Sequence, residues 1–320
     1  MSLVQLKSKI ADSGKIYQLL IIGGGPGGLT AGLYASRAGL DALLIEKGAS
    51  GGQILVTDWI ENYPGFPGLS GFDLAEKMAQ HAASFGLQTL SAEVTSMDLI
   101  GKVKRITLDN GTVLKSHSVI LATGARPNKL GIPGELAMIG KGVSYCATCD
   151  GPFFRDTEIA VVGGGETAVQ EAVFLTKFAK KVTVIHRRKE LRASKIIQER
   201  AFKNNKIEFL MESQVVAVEG EKEVEALRVR HNNGSESVLP FQGVFILIGT
   251  RPNNESFPLN HLANEYGFLI TDCYMTTNIA GVTAVGDIRH ESIRQVISAA
   301  GDGAVALKTV EHYLDNLETE

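Results

Sequence analysis

The amino-acid sequence predicts an α/β fold, and two features of its pattern carry this prediction. Short apolar runs of strand length alternate along the chain with segments of helical pattern. A glycine-rich turn of nearly the same spacing follows two of these runs, at residues 23–28 and 163–168. The chain has 320 residues, and at roughly 150 residues per domain each turn can belong to a domain of its own.

The composition excludes several classes of protein. Hydrophobic residues make up 44% of the chain and charged residues 21%, which is typical of a globular protein with a sizeable core. The formal net charge of −3 gives no reason to expect a nucleic acid or a membrane as a partner. No apolar run approaches the ~18–20 residues of a membrane span, and residues 1–16 lack the pattern of a secretory signal. With three cysteines, we expect a cytoplasmic protein without a disulfide scaffold.

The first glycine-rich turn has the spacing of a dinucleotide-binding fingerprint. Gly23, Gly25 and Gly28 follow the pattern G-x-G-x-x-G, between a predicted strand and a predicted helix. Glycine permits a tight turn here and lets the backbone approach a pyrophosphate at the helix N-terminus. Glu46 ends the next predicted strand, where it would accept a hydrogen bond from a free ribose 2′-hydroxyl. The elements of this segment are predicted at 17–22 (strand), 29–38 (helix) and 42–45 (strand).

The same unit recurs in the second half of the chain. Gly163, Gly165 and Ala168 form the alternative fingerprint G-x-G-x-x-A, again directly after an apolar run. Two complete fingerprints therefore predict two Rossmann-like dinucleotide-binding domains. The elements of the second segment are predicted at 158–162 (strand), 169–180 (helix) and 181–185 (strand).

The two fingerprints differ in the residues that would face the ribose. Glu46 lies 18 residues after Gly28, the last position of the first fingerprint. The residue 18 positions after Ala168, the last position of the second fingerprint, is His186. A basic run begins there and contains Arg187, Arg188 and Arg192. Arginine binds phosphate as a charge-assisted fork. We therefore expect a dinucleotide with a free ribose in the first site and one with a 2′-phosphate, NADPH, in the second.

Two similar segments predict how the domains are connected. Predicted strands at 119–123 and 244–248 both run into the sequence Gly-x-Arg-Pro-Asn, and they flank the second fingerprint. We interpret them as the two crossings of a domain boundary, where glycine and proline can shape a hinge. The second domain, residues 128–252, would then interrupt a first domain formed by residues 1–127 and 253–320.

The C-terminal segment returns to the first domain. A strand is predicted at 281–285 and ends in Gly286 and Asp287, which is well placed to bind a polyol hydroxyl. A helix is predicted over 294–317, with an early interruption at Gly301 and Gly303.

Cys146 and Cys149 form a C-x-x-C pair, for which three interpretations compete. A structural zinc site needs four ligands and the chain has no second such pair, while a structural disulfide across so small a loop would stabilise little. A redox-active dithiol explains the spacing best, because two close thiols exchange disulfides rapidly. Asp150 is a candidate acid/base for a departing thiolate, with a capping or turn role as the alternative. Cys273 is expected to be an ordinary free thiol, and no metal site is expected.

These parts combine into one electron path. NADPH delivers a hydride, and sulfur is a poor direct hydride acceptor. A flavin can take the hydride and pass two electrons to a disulfide. We therefore assign FAD to the first fingerprint and NADPH to the second.

The sequence resembles the low-molecular-weight, bacterial-type thioredoxin reductases, of the pyridine nucleotide-disulfide oxidoreductase family. The resemblance extends from about residue 19 to residue 317, and the cysteine pair inside the NADPH domain is its most discriminating part. It implies a homodimer that passes electrons from NADPH through FAD and the cysteine pair to thioredoxin, while the NADPH domain swings between two orientations. It also implies that Cys149 faces the flavin and that Cys146 attacks thioredoxin. The blocks that carry the resemblance are residues 23–28, 52–53, 61–68, 122–124, 144–151, 163–168, 186–188, 192–193, 286–287 and 294–295.

The fingerprints and the resemblance together give the expected cofactor contacts. Those for FAD are Gly23, Gly25, Pro26, Gly28, Glu46, Lys47, Gly52, Gln53, Asn62, Ala122, Thr123, Gly124, Gly286, Asp287, Arg294 and Gln295. Those for NADPH are Gly163, Gly165, Glu166, Thr167, Ala168, His186, Arg187, Arg188 and Arg192.

The sequence departs from the family pattern at two places. Glu166 and Thr167 stand where Asp and Ser are common, and Ile293 replaces an aromatic residue near the flavin. Two alternatives to a thioredoxin reductase stay open. One is a reductase of another disulfide carrier, such as a glutaredoxin-like or peroxidase-linked protein. The other is a non-catalytic flavin-binding or redox-sensing module.

Overall fold

The computed structural model describes residues 14–57, 59–257 and 262–319. The chain divides into two compact units, of which one is interrupted by the other. The first unit is Met1–Arg126 together with Arg251–Glu320, and the second is Pro127–Thr250. No helix in the described part of the chain is long and apolar enough to cross a membrane.

The first unit is built on a sheet that has seven strands among the described residues. Its strands are β1 (Ile16–Ile22), β2 (Ala42–Glu46), β3 (Gln88–Ser91), β4 (Val94–Asp98), β5 (Lys104–Leu108), β6 (Val113–Leu121) and β17 (Val282–Ala284). Six of them lie in the order β3-β2-β1-β6-β5-β4, and β17 pairs with β6. The pairs among β3, β2, β1, β6 and β17 are parallel, while β4, β5 and the start of β6 pair antiparallel. The helices are α1 (Pro26–Arg37), α2 (Gly71–Ser84) and α6 (Val296–Thr319).

The sheet separates two hydrophobic clusters. Leu20 and Ile22 of β1 lie in one cluster, and Leu19 and Ile21 lie in the other. Successive side chains of a strand point to opposite faces, so a strand that is covered on both sides must be apolar throughout. This is why the predicted apolar run before the first fingerprint forms a central strand.

Helix α6 corrects one expectation, because it runs without interruption through Gly301 and Gly303. A Cβ on Gly303 would lie 2.4 Å from the carbonyl oxygen of Gly27 and 2.9 Å from the nitrogen of Ala31, and both of these residues belong to α1. The glycine therefore permits close packing of α6 against α1 and does not break the helix. The sequence pattern shows a glycine in a helix but not the neighbour that requires it.

The second unit contains a five-stranded parallel sheet in the order β11-β10-β9-β15-β8 and a three-stranded antiparallel sheet in the order β12-β13-β14. Its strands are β8 (Val143–Ser144), β9 (Glu158–Val162), β10 (Lys181–Ile185), β11 (Ile207–Leu210), β12 (Ser213–Glu219), β13 (Ala226–His231), β14 (Glu236–Pro240) and β15 (Gly243–Ile246). Its helices are α3 (Ala147–Asp150), α4 (Glu166–Leu175) and α5 (Lys195–Phe202). Helix α4 begins three residues earlier than expected and ends at Leu175, where the Thr176 hydroxyl donates to the carbonyl of Val173.

The two chain crossings between the units, β7 (Ala125–Pro127) and β16 (Thr250–Pro252), pair as a two-stranded sheet. Each crossing follows a glycine with positive φ, +69° at Gly124 and +100° at Gly249. On the first unit's side, the Asn253 N–H donates to the Gly124 carbonyl at 3.0 Å. On the second unit's side, the Asn128 N–H donates to the Gly249 carbonyl at 2.9 Å. The repeated Gly-x-Arg-Pro-Asn sequences therefore form equivalent turns.

Candidate active site

The first fingerprint forms a turn that only glycine can build. A Cβ on Gly28 would lie 1.9 Å from the carbonyl oxygen of Gly23, and one on Gly23 would lie 2.4 Å from that of Ala122. Gly23 also has a φ of +108°. Gly25, by contrast, has open space beside its Cα. The turn thus presents bare backbone at the N-terminus of α1, as a pyrophosphate requires.

Glu46 closes this turn from the end of β2. One carboxylate oxygen accepts the Gly24 N–H at 2.7 Å and the other accepts the Gly48 N–H at 2.8 Å. Each oxygen keeps a second lone pair, so a ribose hydroxyl can still donate to the carboxylate. The neighbouring Lys47 is exposed and pairs with Glu93 at 3.2 Å.

Several distant segments of the first unit meet at this turn. A Cβ on Gly52 would be 3.3 Å from the Cα of Gly25. A Cβ on Gly27 would be 3.1 Å from the carbonyl of Ala299 in α6. The side chain of Asn62 donates to that of Gln295 at 3.0 Å across 233 residues of sequence. Gln53 follows Gly52 in a short 3-10 helix, Gly52–Val56, and its side chain is exposed.

The residues after β6 and β17 border the first fingerprint, where Gly23 lies beside Ala122 and Gly27 beside Val285. The Thr123 hydroxyl donates to the Asn253 carbonyl at 2.7 Å, which fixes the segment that carries Ala122 and Gly124. At the end of β17, burial raises the pKa of Asp287 to about 6. The Arg294 guanidinium and a hydrogen bond from Ser292 oppose this rise in the pKa, and the charge of Asp302 adds to it.

Arg294 stands out by its backbone and its side chain. Its φ is +53°, which is uncommon for a residue with a side chain. Its guanidinium lies over the ring of Phe268, 5.2 Å from the centroid. The predicted flavin contacts Arg294 and Gln295 directly precede α6.

The second fingerprint repeats the first. A Cβ on Gly163 would lie 2.5 Å from the carbonyl of Leu247 and 2.7 Å from the Cβ of Ala168, while Gly165 has open space beside its Cα. Gly164 is covered by the imidazole of His186, whose Nδ1 a Cβ would approach to 2.4 Å. The pKa of His186 is lowered, first by burial and then by the charges of the nearby arginines, so its imidazole is neutral at pH 7.

The basic run that starts at His186 leaves the sheet after β10. Arg187, Arg188 and Arg192 are exposed, and none of the ion pairs found among the described residues involves them. Glu166 at the start of α4 directs its carboxylate to Ser194, whose N–H and hydroxyl both donate to it. The three guanidinium groups are therefore available to an anion beside the fingerprint.

The cysteine pair forms a disulfide in the second unit, with the two Cα atoms 5.3 Å apart. Cys146 caps the one-turn helix α3, and its Sγ accepts the N–H of Cys149 at 3.1 Å. Both cysteines are half-buried. Cys273 is a free, exposed cysteine of the first unit. The structure thus joins the C-x-x-C pair of the sequence in a reducible bond within the second unit.

Three residues near the disulfide form contacts that the sequence does not predict: Ser144, Glu135 and Tyr145. The Ser144 hydroxyl accepts the Cys146 N–H at 3.1 Å and donates to the Asp150 carboxylate at 2.6 Å. The fully buried Glu135 accepts the Tyr145 hydroxyl at 2.8 Å and the N–H groups of Leu130 and Gly131 at 2.9 and 2.7 Å.

Burial and the Glu135 hydrogen bond raise the pKa of Tyr145, the residue before Cys146. Through its hydrogen bonds, the carboxylate of Glu135 joins residues 130–131 near the start of the second unit to Tyr145 in the redox loop, defined here as residues 144–150. Nothing in the spacing of Ser144, Glu135 or Tyr145 signals these contacts, because each spans a turn whose shape the sequence does not state.

Comparison with known proteins identifies the family. A family model described as pyridine nucleotide-disulphide oxidoreductase matches residues 17–303. The chain belongs to the pyridine nucleotide-disulphide oxidoreductase family. The thioredoxin reductase of Listeria innocua is 43% identical over 311 residues, which are 97% of this chain and 97% of the relative. That of Bacillus subtilis is 44% identical, over 95% of this chain and 96% of the relative. The crystal structure of thioredoxin reductase from Streptococcus pyogenes matches with a TM-score of 0.91 and 44% identity, over 94% of this chain and 99% of that one.

These matches confirm the resemblance, the fold class with two dinucleotide-binding domains and the redox class of the enzyme. This oxidoreductase uses FAD and NADPH, as the two fingerprints predicted. The residues present fit both cofactors. Gly25 and Gly165 leave backbone uncovered at the two turns, Glu46 retains acceptor capacity for a ribose hydroxyl, and the exposed arginines match a 2′-phosphate.

Proposed function

We propose that this oxidoreductase reduces oxidised thioredoxin with electrons from NADPH, as a homodimer in the cytoplasm. The observation that carries the proposal is the half-buried Cys146–Cys149 disulfide in the same compact unit as the arginine-flanked fingerprint. One domain then contains both the NADPH site and the reducible bond. The relatives named thioredoxin reductase support the choice of the acceptor.

We assign the FAD domain to residues 1–127 and 253–320 and the NADPH domain to residues 128–252. The division into two compact units supports these boundaries. The contacts proposed for each cofactor are those that the fingerprints predict. The close approach of Gly52 to Gly25 and the hydrogen bond between Asn62 and Gln295 support the FAD set.

When bound, FAD accepts a hydride from NADPH and supplies an electron pair that can reduce a disulfide. Two electrons and two protons convert the Cys146–Cys149 bond into two thiols. The Cys146 thiolate then attacks one sulfur of the thioredoxin disulfide and displaces the other as a thiolate. Cys149 next attacks Cys146 in the mixed disulfide, which releases reduced thioredoxin and restores the bond. Asp150 takes the proton of the Cys146 thiol before Cys146 attacks thioredoxin and gives it to the departing thiolate.

The proposed cycle requires the cysteine pair to serve two partners in turn. We propose that the NADPH domain rotates about the paired crossings β7 and β16 between these two tasks. The positive φ of Gly124 and of Gly249 supports a hinge at this place, because glycine changes its backbone torsions at little cost.

The test is NADPH oxidation by the purified protein with a panel of disulfide carriers. Thioredoxin should support turnover, whereas a better glutaredoxin-like or peroxidase-linked acceptor would replace it in the proposal. Cys149→Ser should abolish turnover and leave the flavin reducible by NADPH, because the acceptor bond is lost and the nucleotide site is not. Cys273→Ser, at the exposed free thiol, is the matched control and should retain full activity. Turnover of thioredoxin by Cys149→Ser would refute the mechanism.

The NADPH assignment has its own test in the arginine cluster. Replacing both Arg187 and Arg188 by alanine should raise the KM for NADPH about tenfold or more, since two charge-assisted contacts to phosphate are lost. The KM for NADH should change little. Arg228→Ala, at an exposed arginine of β13 that pairs with Glu219, serves as the control. An equal effect on both nucleotides would contradict the 2′-phosphate assignment.

A further inference from the structure

We propose that Glu166 is a positioning residue, which selects NADPH over NADH by holding the basic loop in place and not by touching the nucleotide. The basic loop is defined here as residues 187–194, between β10 and α5. The inference rests on the proposed NADPH site and gives Glu166 a different role from the direct contact that its place in the fingerprint suggests.

The carboxylate of Glu166 is committed to the far end of the basic loop. One of its oxygens accepts the Ser194 N–H at 2.6 Å and the other accepts the Ser194 hydroxyl at 2.9 Å. The two residues are 28 positions apart in sequence. Charge-assisted hydrogen bonds of this length are among the stronger ones in proteins. The two hydrogen bonds set the direction of the carboxylate toward Ser194.

The backbone of the fingerprint holds the same loop at a second point. The carbonyl of Gly164 accepts the N–H of Arg192 at 2.6 Å and that of Ala193 at 3.2 Å. Three consecutive residues, 192–194, are thus bound to the turn that presents its backbone to the pyrophosphate. Leu191 and Ala193 add buried side chains on either side of Arg192. The backbone of Arg192 is thus held beside the fingerprint, while its side chain is exposed and its guanidinium stays accessible.

Two physical roles of Glu166 predict effects of opposite sign. If the carboxylate acted only as a negative charge near the site, its removal would relieve repulsion and strengthen the binding of a 2′-phosphate. If it holds the loop, its removal lets Arg192 and the segment before it move, and the binding of a 2′-phosphate weakens. The structure favours the second role, because both oxygens of the carboxylate accept hydrogen bonds from Ser194 at the end of the loop.

The experiment compares two probes that differ by one phosphate, 2′,5′-ADP and 5′-AMP, titrated calorimetrically into the full-length, FAD-loaded protein. Glu166→Ala should weaken the binding of 2′,5′-ADP about tenfold and leave that of 5′-AMP unchanged. Ser194→Ala removes one donor only and should give a smaller loss of the same kind. Glu166→Gln keeps an acceptor for the Ser194 N–H and should weaken binding less than Glu166→Ala does. Glu208→Gln, at an exposed carboxylate that pairs with Lys181, is the charge control and should bind both probes as the parent does.

Coupling to the arginine gives the decisive readout. In the double variant Glu166→Ala with Arg192→Ala, the loss of affinity for 2′,5′-ADP should be smaller than the two single losses combined, because part of the effect of Glu166 acts through Arg192. Tighter binding of 2′,5′-ADP by Glu166→Ala, an unchanged affinity, or an equal loss for both probes would overturn the positioning role. If the parent protein itself does not distinguish 2′,5′-ADP from 5′-AMP, the proposed NADPH site fails. That result differs from a failure of the positioning role alone.

Discussion

At the redox loop, the hydroxyl of Ser144 joins the backbone of Cys146 to the carboxylate of Asp150. Ser144 is buried and lies at the end of β8, so its position is set by the sheet. Through its two hydrogen bonds, the hydroxyl therefore holds the redox loop in a fixed position relative to the end of β8. The sequence marks Asp150 as a candidate acid because it adjoins Cys149, but it gives no sign that Ser144 orients it.

Replacing Ser144 by alanine should slow the reduction of thioredoxin several-fold and leave flavin reduction by NADPH unchanged. The reason is that the Asp150 carboxylate and the Cys146 N–H each lose a hydrogen-bond partner, at a cost of about 1–3 kcal/mol for each unsatisfied group. Stopped-flow absorbance separates the two steps. Asp150→Asn is the companion variant and should slow the same step. A slower flavin reduction in Ser144→Ala would show that the effect reaches beyond the redox loop.

Asp287 illustrates a buried acid that opposes folding in the absence of a ligand. Its pKa of about 6 lies above the ordinary 3.8 of an aspartic acid, mainly through burial. Between these pH values the folded state binds more protons than the unfolded state, so stability falls as the pH rises from about 4 to about 6 and then stays level. The carboxylate is held in the site despite this cost, as expected of a group kept for binding.

We therefore expect Asp287→Asn to raise the free energy of unfolding of the FAD-free protein by about 2–3 kcal/mol above pH 6. The gain should shrink as the pH falls below 6 and vanish near pH 4, where aspartate is protonated in both states. Urea unfolding at several pH values measures it. Asp109→Asn, at an exposed turn, should show no such gain, and a gain at Asp287 that is independent of pH would contradict the assignment. FAD affinity should fall in Asp287→Asn, because the acceptor for a polyol hydroxyl is weakened.

At the scale of single elements, the strands beside each fingerprint are the best-predicted parts of the fold. The strands β9 and β10 have the predicted bounds, because each is a short, mostly apolar run that begins at a charged residue and ends at a glycine or a basic run. Helix ends were predicted less well. Helix α4 ends at Leu175, although its apolar spacing continues to Ala179, which is fully buried beyond the helix end. Burial and helical conformation are separate properties, and periodicity reports only the first.

The glycines of α6 offer a matched pair of substitutions. Gly303→Ala should destabilise the protein by about 1–3 kcal/mol, because the new Cβ meets backbone atoms of α1 that cannot move aside. Gly301→Ala should stabilise it by about 0.5–1 kcal/mol, since that position is exposed and has open space beside its Cα. Urea unfolding of the FAD-free protein measures both changes. Equal effects of the two substitutions would show that α6 does not pack on α1 as described.

At the scale of the whole molecule, each compact unit has hydrophobic clusters of its own. Every cluster among the described residues draws its members from one unit. The second unit is also continuous in sequence, and the first is not. A continuous unit with its own core meets the requirements of an independently folding domain.

The segment 127–250 should therefore fold alone, with a cooperative urea transition, and should still prefer 2′,5′-ADP over 5′-AMP. The matched control is the segment 1–126, which should fail to fold. It lacks β17, which pairs with β6, and α6, whose Leu307 and Val310 belong to its core. Circular dichroism and calorimetric titration test both segments. A segment 127–250 without a cooperative transition would show that the second unit depends on the first.

The sequence by itself predicted the two fingerprints, the different residues at their ribose-facing positions, the C-x-x-C pair and the interruption of one compact unit by the other. Each of these is a local pattern, because a tight glycine turn, a strand-terminal acid and a C-x-x-C pair need only neighbouring residues to act. Tertiary structure alone decided that Glu166 binds Ser194, that Ser144 orients Asp150 and that Gly303 serves packing. These contacts join segments through turns and helix faces, whose geometry depends on the packing of the whole unit and leaves no periodic trace in the chain.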